Sequence, residues 1–220
     1  MFHGYGTKVF SGERMIIVAT LGFEEKFALR ALVRREIKKG DKMVVLLPAK
    51  GDPKGESAFF RLKEVKEKAF PDLEIERVEV DVRDFCGAVC FLRNILKELS
   101  LKDRIVLNVS GGQRILILEL LAAASSLKLK NAEIEIETED SSFYSTVPLE
   151  IMFPTELDAL DVELLRTVAE GSGMKLKDLT EMFDIPKATL WRKLSRLVEM
   201  RLLEKKNDKY YLSDLGRSRL

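Results

Sequence analysis

The run Met15 to Phe23, MIIVATLGF, is apolar but for Thr20, is bounded by the turn glycine Gly22 and is followed by an amphipathic stretch, and this pairing recurs along the chain. An apolar run of that length with no alternation fits a strand covered on both faces. A helical pattern follows over Phe23 to Lys38, with Phe27, Leu29, Leu32, Val33 and Ile37 as its apolar positions. Strand Met43 to Leu47, helix Glu56 to Phe70, strand Leu73 to Val82 and helix Phe85 to Leu99 come next. Strand Arg104 to Val109, helix Gln113 to Leu127 and strand Ala132 to Thr138 continue the series, with a further short strand expected over Phe143 to Pro148. Strands that alternate with helices predict an α/β domain: a mostly parallel sheet carrying helices on both faces.

With 37 basic and 36 acidic residues in 220, the net charge of +1 points to no class of partner, so any basic footprint has to be local. No apolar run is long enough for a membrane span and no charged leader precedes an apolar segment, so the expected location is cytoplasmic. His3 is the sole histidine. A histidine-bearing zinc site, a Cys/His dyad and a Ser/His/Asp triad therefore lack partners, and no catalytic residue, metal or cofactor is assigned. Cys86 and Cys90 lie four apart beside Phe85 and Val89 and are expected to be buried free thiols. From Ala132 to Glu139, isoleucines alternate with Glu133, Glu135, Glu137 and Glu139, which predicts one buried and one solvated face. Such a carboxylate row either guards a sheet edge or, less commonly, holds a metal. Residues 1–13 show no sustained period and read as an N-terminal extension, with Met15 an alternative start; the α/β domain is assigned to 14–150.

Beyond Pro154 the pattern changes, and residues 151–220 form a second domain. Asp158 to Ala169 is amphipathic, Leu176 to Phe183 is a short helix, and Asp184-Ile185-Pro186 is a turn before a longer helix over Lys187 to Arg201. This is helix-turn-helix spacing. Leu190, Leu194, Leu197 and Val198 make one stripe of the third helix, leaving Lys187, Thr189, Trp191, Arg192, Ser195 and Arg196 to meet a groove. Leu202 to Leu212 reads as two strands joined by a polar turn, a wing that presents Lys205, Lys206 and Lys209. Between Lys187 and Lys209 the surplus is five positive charges, which places a basic footprint where DNA would lie. The stretch Leu160 to Arg217 resembles winged helix-turn-helix transcription regulators, in its KATLWRKL helix start and its LSDLGR ending. A winged helix used only for protein contacts is the alternative.

An α/β sheet takes ligands beyond the carboxyl ends of its strands, and two loops stand there: Thr20-Leu21-Gly22-Phe23 after the first strand, and Asn108-Val109-Ser110-Gly111-Gly112-Gln113-Arg114 after the fourth. Neither is a dinucleotide fingerprint, and no P-loop motif is present. Ser110-Gly111-Gly112 leads into a helix, which suits either a phosphate on backbone N–H groups, assisted by Arg114, or a tight turn with no ligand. The Ser-Gly-Gly-Gln-Arg loop, the Thr-Leu-Gly-Phe loop and the winged helix together resemble the CARF family, CRISPR-associated Rossmann-fold proteins. The similarity is to its archaeal regulators. The resemblance implies a Rossmann-like domain and a homodimer that holds a cyclic oligoadenylate, commonly the tetraadenylate, across its axis. Ser110, Gly111, Gly112, Gln113 and Arg114 would contact phosphate and ribose, and Thr20, Leu21, Gly22 and Phe23 the adenine or backbone. It further implies a ligand-responsive regulator that binds double-stranded DNA near CRISPR or cas genes. The rival is a ring nuclease that cleaves its own ligand, with Lys50, Lys54 or Arg114 stabilising the phosphorane. The loop Ala49 to Gly55 is expected to be a flexible surface segment.

Overall fold

The computed structural model describes residues 14–50, 53–101, 103–129, 131–153 and 155–220. The extension assigned to residues 1–13 lies outside them. The chain divides into two compact units at Phe153/Pro154.

In the first unit, strands β1 (Met15–Thr20), β2 (Lys42–Pro48), β3 (Glu74–Val80), β4 (Arg104–Asn108) and β5 (Ala132–Glu137) run parallel, and β6 (Tyr144–Pro148) returns antiparallel to β5. Their order across the sheet is β3-β2-β1-β4-β5-β6. Successive strands step outward in one direction from β1 and, after β3, in the other from β4. Such a reversal opens a crevice between the two innermost strands at their carboxyl ends. Helices α1 (Lys26–Arg34) and α2 (Pro53–Ala69) bury Ala28, Leu32, Ala58 and Leu62 against one face. Helices α3 (Phe85–Leu99) and α4 (Arg114–Ser126) bury Ala88, Leu92, Leu96, Leu116 and Leu120 against the other. The inner positions of β1 and β2 are buried without interruption, as their unbroken apolar runs require.

Two expectations are corrected. Cys86 and Cys90 are exposed. Ala88, Leu92 and Leu96 take the sheet-facing stripe of α3, and residues two positions earlier lie about 200° around the helix from that stripe. The glutamates of β5 are not a solvated row guarding an edge. The edge strand is β6, and Glu135 and Glu137 are buried while Ile136 is exposed. Over β5 the sheet is covered by the arginines of α1 and its end, so the carboxylates face inward. Glu135 accepts from Arg34 Nη2 at 2.7 Å and Arg35 Nε at 2.8 Å; Arg35 Nη1 reaches Glu133 at 2.9 Å; Arg34 Nη1 reaches Glu137 at 2.6 Å. Arg30 also meets Glu137, and Arg104 meets Glu133. Burial would raise the pKa of Glu137, but bonds from Arg34, Arg30 and Ser141 outweigh it and hold the group below the ordinary carboxylate range. No cluster of metal-ligating side chains occurs among the described residues.

In the second unit, α5 (Ala159–Glu170), β7 (Met174–Lys175), α6 (Leu176–Met182), α7 (Lys187–Glu199), β8 (Leu203–Lys206), β9 (Lys209–Leu212) and α8 (Asp214–Arg217) surround a small core of Leu164, Leu165, Leu179, Leu190, Leu194 and Leu197. The sheet order is β7-β9-β8. The strand β7, absent from the sequence reading, pairs antiparallel with β9 through two residues only, too few for a periodic signal. Asn207 and Asp208 both take positive φ, the geometry of a two-residue hairpin turn, and set the wing. Among the described residues no helix is long and apolar enough to cross a membrane.

Glu119 on α4 is wholly buried, and among the described residues neither of its carboxylate oxygens has a hydrogen-bond partner. Burial raises its pKa, and repulsion from Asp81 and Asp84 adds to the rise. A raised carboxylate pKa penalises the fold wherever the unfolded chain would ionise, so the penalty is complete above the folded pKa and vanishes below the unfolded value near 4.5. Glu119→Leu should therefore stabilise the protein at pH 7 by about 1–3 kcal/mol. The gain should shrink on acidification to pH 4, as read from urea unfolding at both pH values. Equal stability at pH 7 would contradict this account.

Candidate ligand loops and DNA interface

The crevice between β1 and β4 is built from the two loops singled out in the sequence. The Thr20 hydroxyl donates to the carbonyl of Gly111. A Cβ on Gly22 would sit 2.8 Å from Gly112 N, and one on Gly112 would sit 2.8 Å from Thr20 Cβ. Gly112 also has φ +92°, where side chains are strained. The loops touch backbone to backbone, and only glycine permits that approach.

Their side chains divide into anchors and exposed groups. Leu21 is buried in the core under α1, and its N–H donates to Leu46 O at 3.0 Å, so any contact it makes with a ligand is through backbone. The hydroxyl of Thr20 is engaged on Gly111, and that of Ser110 accepts from Glu137 N at 3.0 Å. Asn108 at the end of β4 donates Nδ2 to Glu135 at 3.0 Å, and its Oδ1 lies 3.4 Å from Ser110 N. Neither Asn108 nor Glu135 was foreseen as a loop support, because their pairing spans 27 residues. Gly111 and Gly112 are half-buried, whereas Gln113 and Arg114 are exposed. Among the described residues, Gln113 at the N-cap of α4 makes no side-chain cap bond, and the first turn carries no acidic residue. An uncapped helix start beside a glycine pair presents N–H groups and partial positive charge to an anion.

Phe23 is 53% exposed, with Lys54 Nζ 5.3 Å from its ring centre and Arg61 Nη2 3.3 Å from its carbonyl. Lys54 belongs to the first turn of α2, so Pro53-Lys54-Gly55 is helix rather than the loop expected there; residues 51 and 52 lie outside the described set. Both cations reach Phe23 from α2, a proximity with no local sequence signal. The crevice rim thus combines an exposed aromatic, cations and uncapped backbone donors, which suits a phosphate-bearing ligand with a stacking base.

In the second unit, α7 presents Lys187, Trp191, Arg192 and Arg196 as exposed residues, with Thr189 and Ser195 half-buried. Trp191 is 53% exposed, so it is not part of the core. Arg192 Nη2 lies 3.3 Å from Thr189 Oγ1. Lys205 and Lys206 are exposed on the wing, paired with Asp208 at 3.6 Å and with Glu204; Lys209 is half-buried. Arg196 is differently placed: Nη1 reaches the buried carboxylate of Asp161 at 3.2 Å and Nη2 the carbonyl of Glu156 at 3.0 Å. Lys193 joins it, 3.0 Å from Asp161 and bonded to Asp158. Desolvation opposes the charge on Lys193, yet bonds to Asp158 and Asp161 raise its pKa above the ordinary lysine value. The hydrogen bond from Lys193, with a second from Asp161 N–H, in turn holds Asp158 below the ordinary carboxylate range.

The arrangement defines a two-part protein, a doubly wound Rossmann-like domain followed by a winged helix of the DNA-binding class. Residues 15–149 match the family model described as the Csa3 CRISPR-associated Rossmann-like domain, and residues 157–215 match a winged helix DNA-binding domain. The chain belongs to the Csa3 family. It is 26% identical over 204 residues to the Csa3 protein of Saccharolobus solfataricus, covering 90% of this chain and 84% of that one, whose name gives it provisionally as a CRISPR-locus-related DNA-binding protein.

If the crevice depends on backbone contact at the glycine pair, Gly22→Ala and Gly112→Ala should each destabilise the protein, by about 1–3 kcal/mol. Their effects should not add, since both act on one contact. A double-mutant cycle by chemical unfolding checks this, and strict additivity would show that the loops are held independently.

Proposed function

We propose that this protein is a homodimeric transcription regulator whose Rossmann-like domain binds a cyclic oligoadenylate, most suitably the tetraadenylate, and whose winged helix binds double-stranded DNA of CRISPR or cas genes. The observation that carries the sensing half is the meeting of Thr20–Phe23 with Ser110–Arg114 over the uncapped start of α4. In this reading Gly111 and Gly112 offer backbone N–H groups, Gln113 and Arg114 contact phosphate and ribose, and Phe23 stacks a base. Thr20, Leu21 and Ser110 hold the loops in shape. A cyclic ligand with two-fold symmetry suits a two-fold protein site, because each subunit binds half the ring with identical groups. The recognition surface is α7 with the wing, and it favours DNA over a protein partner because Lys187, Arg192, Lys205 and Lys206 are exposed together there.

Isothermal titration with cyclic tetraadenylate should give one ring per dimer, with binding lost in Arg114→Ala while the dimer persists. Wild-type affinity in that variant would remove the phosphate-loop assignment. Chromatography after incubation should return the ring intact; a linear product would establish the ring nuclease instead.

Arg192→Ala should relax preference at one base pair at a cost of about 1–3 kcal/mol, whereas Lys205→Ala with Lys206→Ala should weaken all duplexes alike and flatten the salt dependence. Selection from a random duplex pool, followed by affinity measurements across a salt series, separates the two. Ligand and DNA should also be coupled: the factor by which the ring changes DNA affinity must equal the factor by which DNA changes ring affinity, typically about 1–3 kcal/mol. Identical ring affinities for free and DNA-bound protein would mean that the domains act independently.

A further inference from the structure

The basic residues of α7 and the wing are held in two distinct ways. Lys205 and Lys206 pair with Asp208 and Glu204, whose side chains are 91% and 50% exposed. Exposed pairs of this kind are worth little and can be exchanged for a phosphate. Lys193 and Arg196 pair with Asp161, whose side chain is 0% exposed. Stripping both cations from a buried carboxylate would leave its charge without compensation, so these contacts are not readily exchanged.

The acceptors gather at one place. Asp158 and Asp161 form the capping box of α5, each side chain accepting from the other's backbone N–H, and the Glu156 carbonyl stands just before them. Lys193 and Arg196 are one turn apart on α7 and grip this cap from the same side. Leu190, Leu194 and Leu197 set how deeply α7 is buried. Apolar contacts are non-directional, so they leave rotation and axial slip of the helix loosely specified, while a directional charged network removes that freedom.

We infer that Asp161, Lys193 and Arg196 form a positioning clamp, which fixes the recognition helix to the segment entering the domain, and that Lys193 and Arg196 do not read DNA. The clamp rests on the reading of α7 as the recognition helix. Arg196, which the sequence offered as a groove-facing residue, becomes a positioning residue that acts through the orientation of Arg192 and Lys187.

The test uses the full-length protein and a duplex enriched by it from a random-sequence pool, with affinity measured across a salt series and thermal melting followed for each variant. Asp161→Asn removes a negative charge, yet it should weaken binding roughly tenfold, with the wild-type salt slope retained. Arg196→Ala should do the same. Arg196→Lys, which keeps the charge but cannot bridge Asp161 and Glu156 together, should not restore binding. Tighter binding with a steeper slope in Asp161→Asn would show that the carboxylate restrains two phosphate contacts, and would overturn the proposal. So would a slope shallower by about 0.9 in Arg196→Ala, recovery in Arg196→Lys, or unchanged affinity in all three. If Asp161→Asn melts below the assay temperature, the two Arg196 variants decide alone, since that side chain is 46% exposed and dispensable to the core. A wild-type protein that enriches no duplex would instead refute the DNA-binding reading, before any variant is compared.

Discussion

The carboxylate of Glu135 is the interaction on which the Rossmann-like domain turns. It is 1% exposed and ionisable, a placement that is costly unless the group is surrounded by donors. Arg34 and Arg35 come from the end of α1, and Asn108 comes from the end of β4. One carboxylate therefore ties together a helix, the strand beside the crevice and its own strand. Asn108 passes that constraint on to Ser110, and Glu137, held by Arg30 and Arg34, does so a second time through its backbone N–H. The glycine loop is thus tied from below at two points, and in the proposed reading donors held in this way need not be ordered before they meet an anion.

The winged helix repeats the device with Asp161. In both domains a buried acid gathers two cations, and in both the ordered element is the one assigned to recognition: the loop after β4 in one case and α7 in the other. Removing either acid would leave each of its cations with only part of its bonds: Arg34 would keep Glu137 and Arg35 Glu133, while Lys193 would keep Asp158 and Arg196 the Glu156 carbonyl. The consequence would fall on geometry as well as on stability, since a directional network specifies orientation in a way that an apolar stripe does not.

The strands and most helices were legible because β1, β2 and β4 are apolar on both faces and because α1, α3 and α7 carry clear stripes. The two glycine loops stood out because glycine at a strand-to-helix junction allows backbone to approach backbone, and Gly22 and Gly112 do meet in that way. What misled was alternation itself. A period of two places Glu133, Glu135 and Glu137 on one side of β5 but does not say which side is covered. The answer lay about a hundred residues away, in Arg30, Arg34 and Arg35. Cys86 and Cys90 share a helical side with each other but not with Ala88 and Leu92, and a residue's apolar character did not decide which stripe met the sheet. Lys54 and Arg61 at the rim of Phe23 depend on how α2 lies beside β1, which no local pattern encodes.

Charge counted along the chain misleads in a related way. The surplus of five over Lys187 to Lys209 is computed in a window that omits Asp158 and Asp161, and these reduce it by two when the fold brings them to Lys193 and Arg196. Coulomb attraction to a duplex depends on charges that can approach phosphate, and a cation paired with a buried carboxylate is largely neutralised by it beyond a Debye length. In the proposed reading the field offered to DNA comes from Lys187, Arg192 and the wing lysines; Arg192 is held by the neutral Thr189 hydroxyl, and the acidic partners of Lys205 and Lys206 are exposed enough to be displaced. If α7 is the recognition helix, a surface of a few exchangeable cations would gain its selectivity from where α7 is placed rather than from how much charge it carries, and under the inferred clamp that placement depends on the Asp161 network.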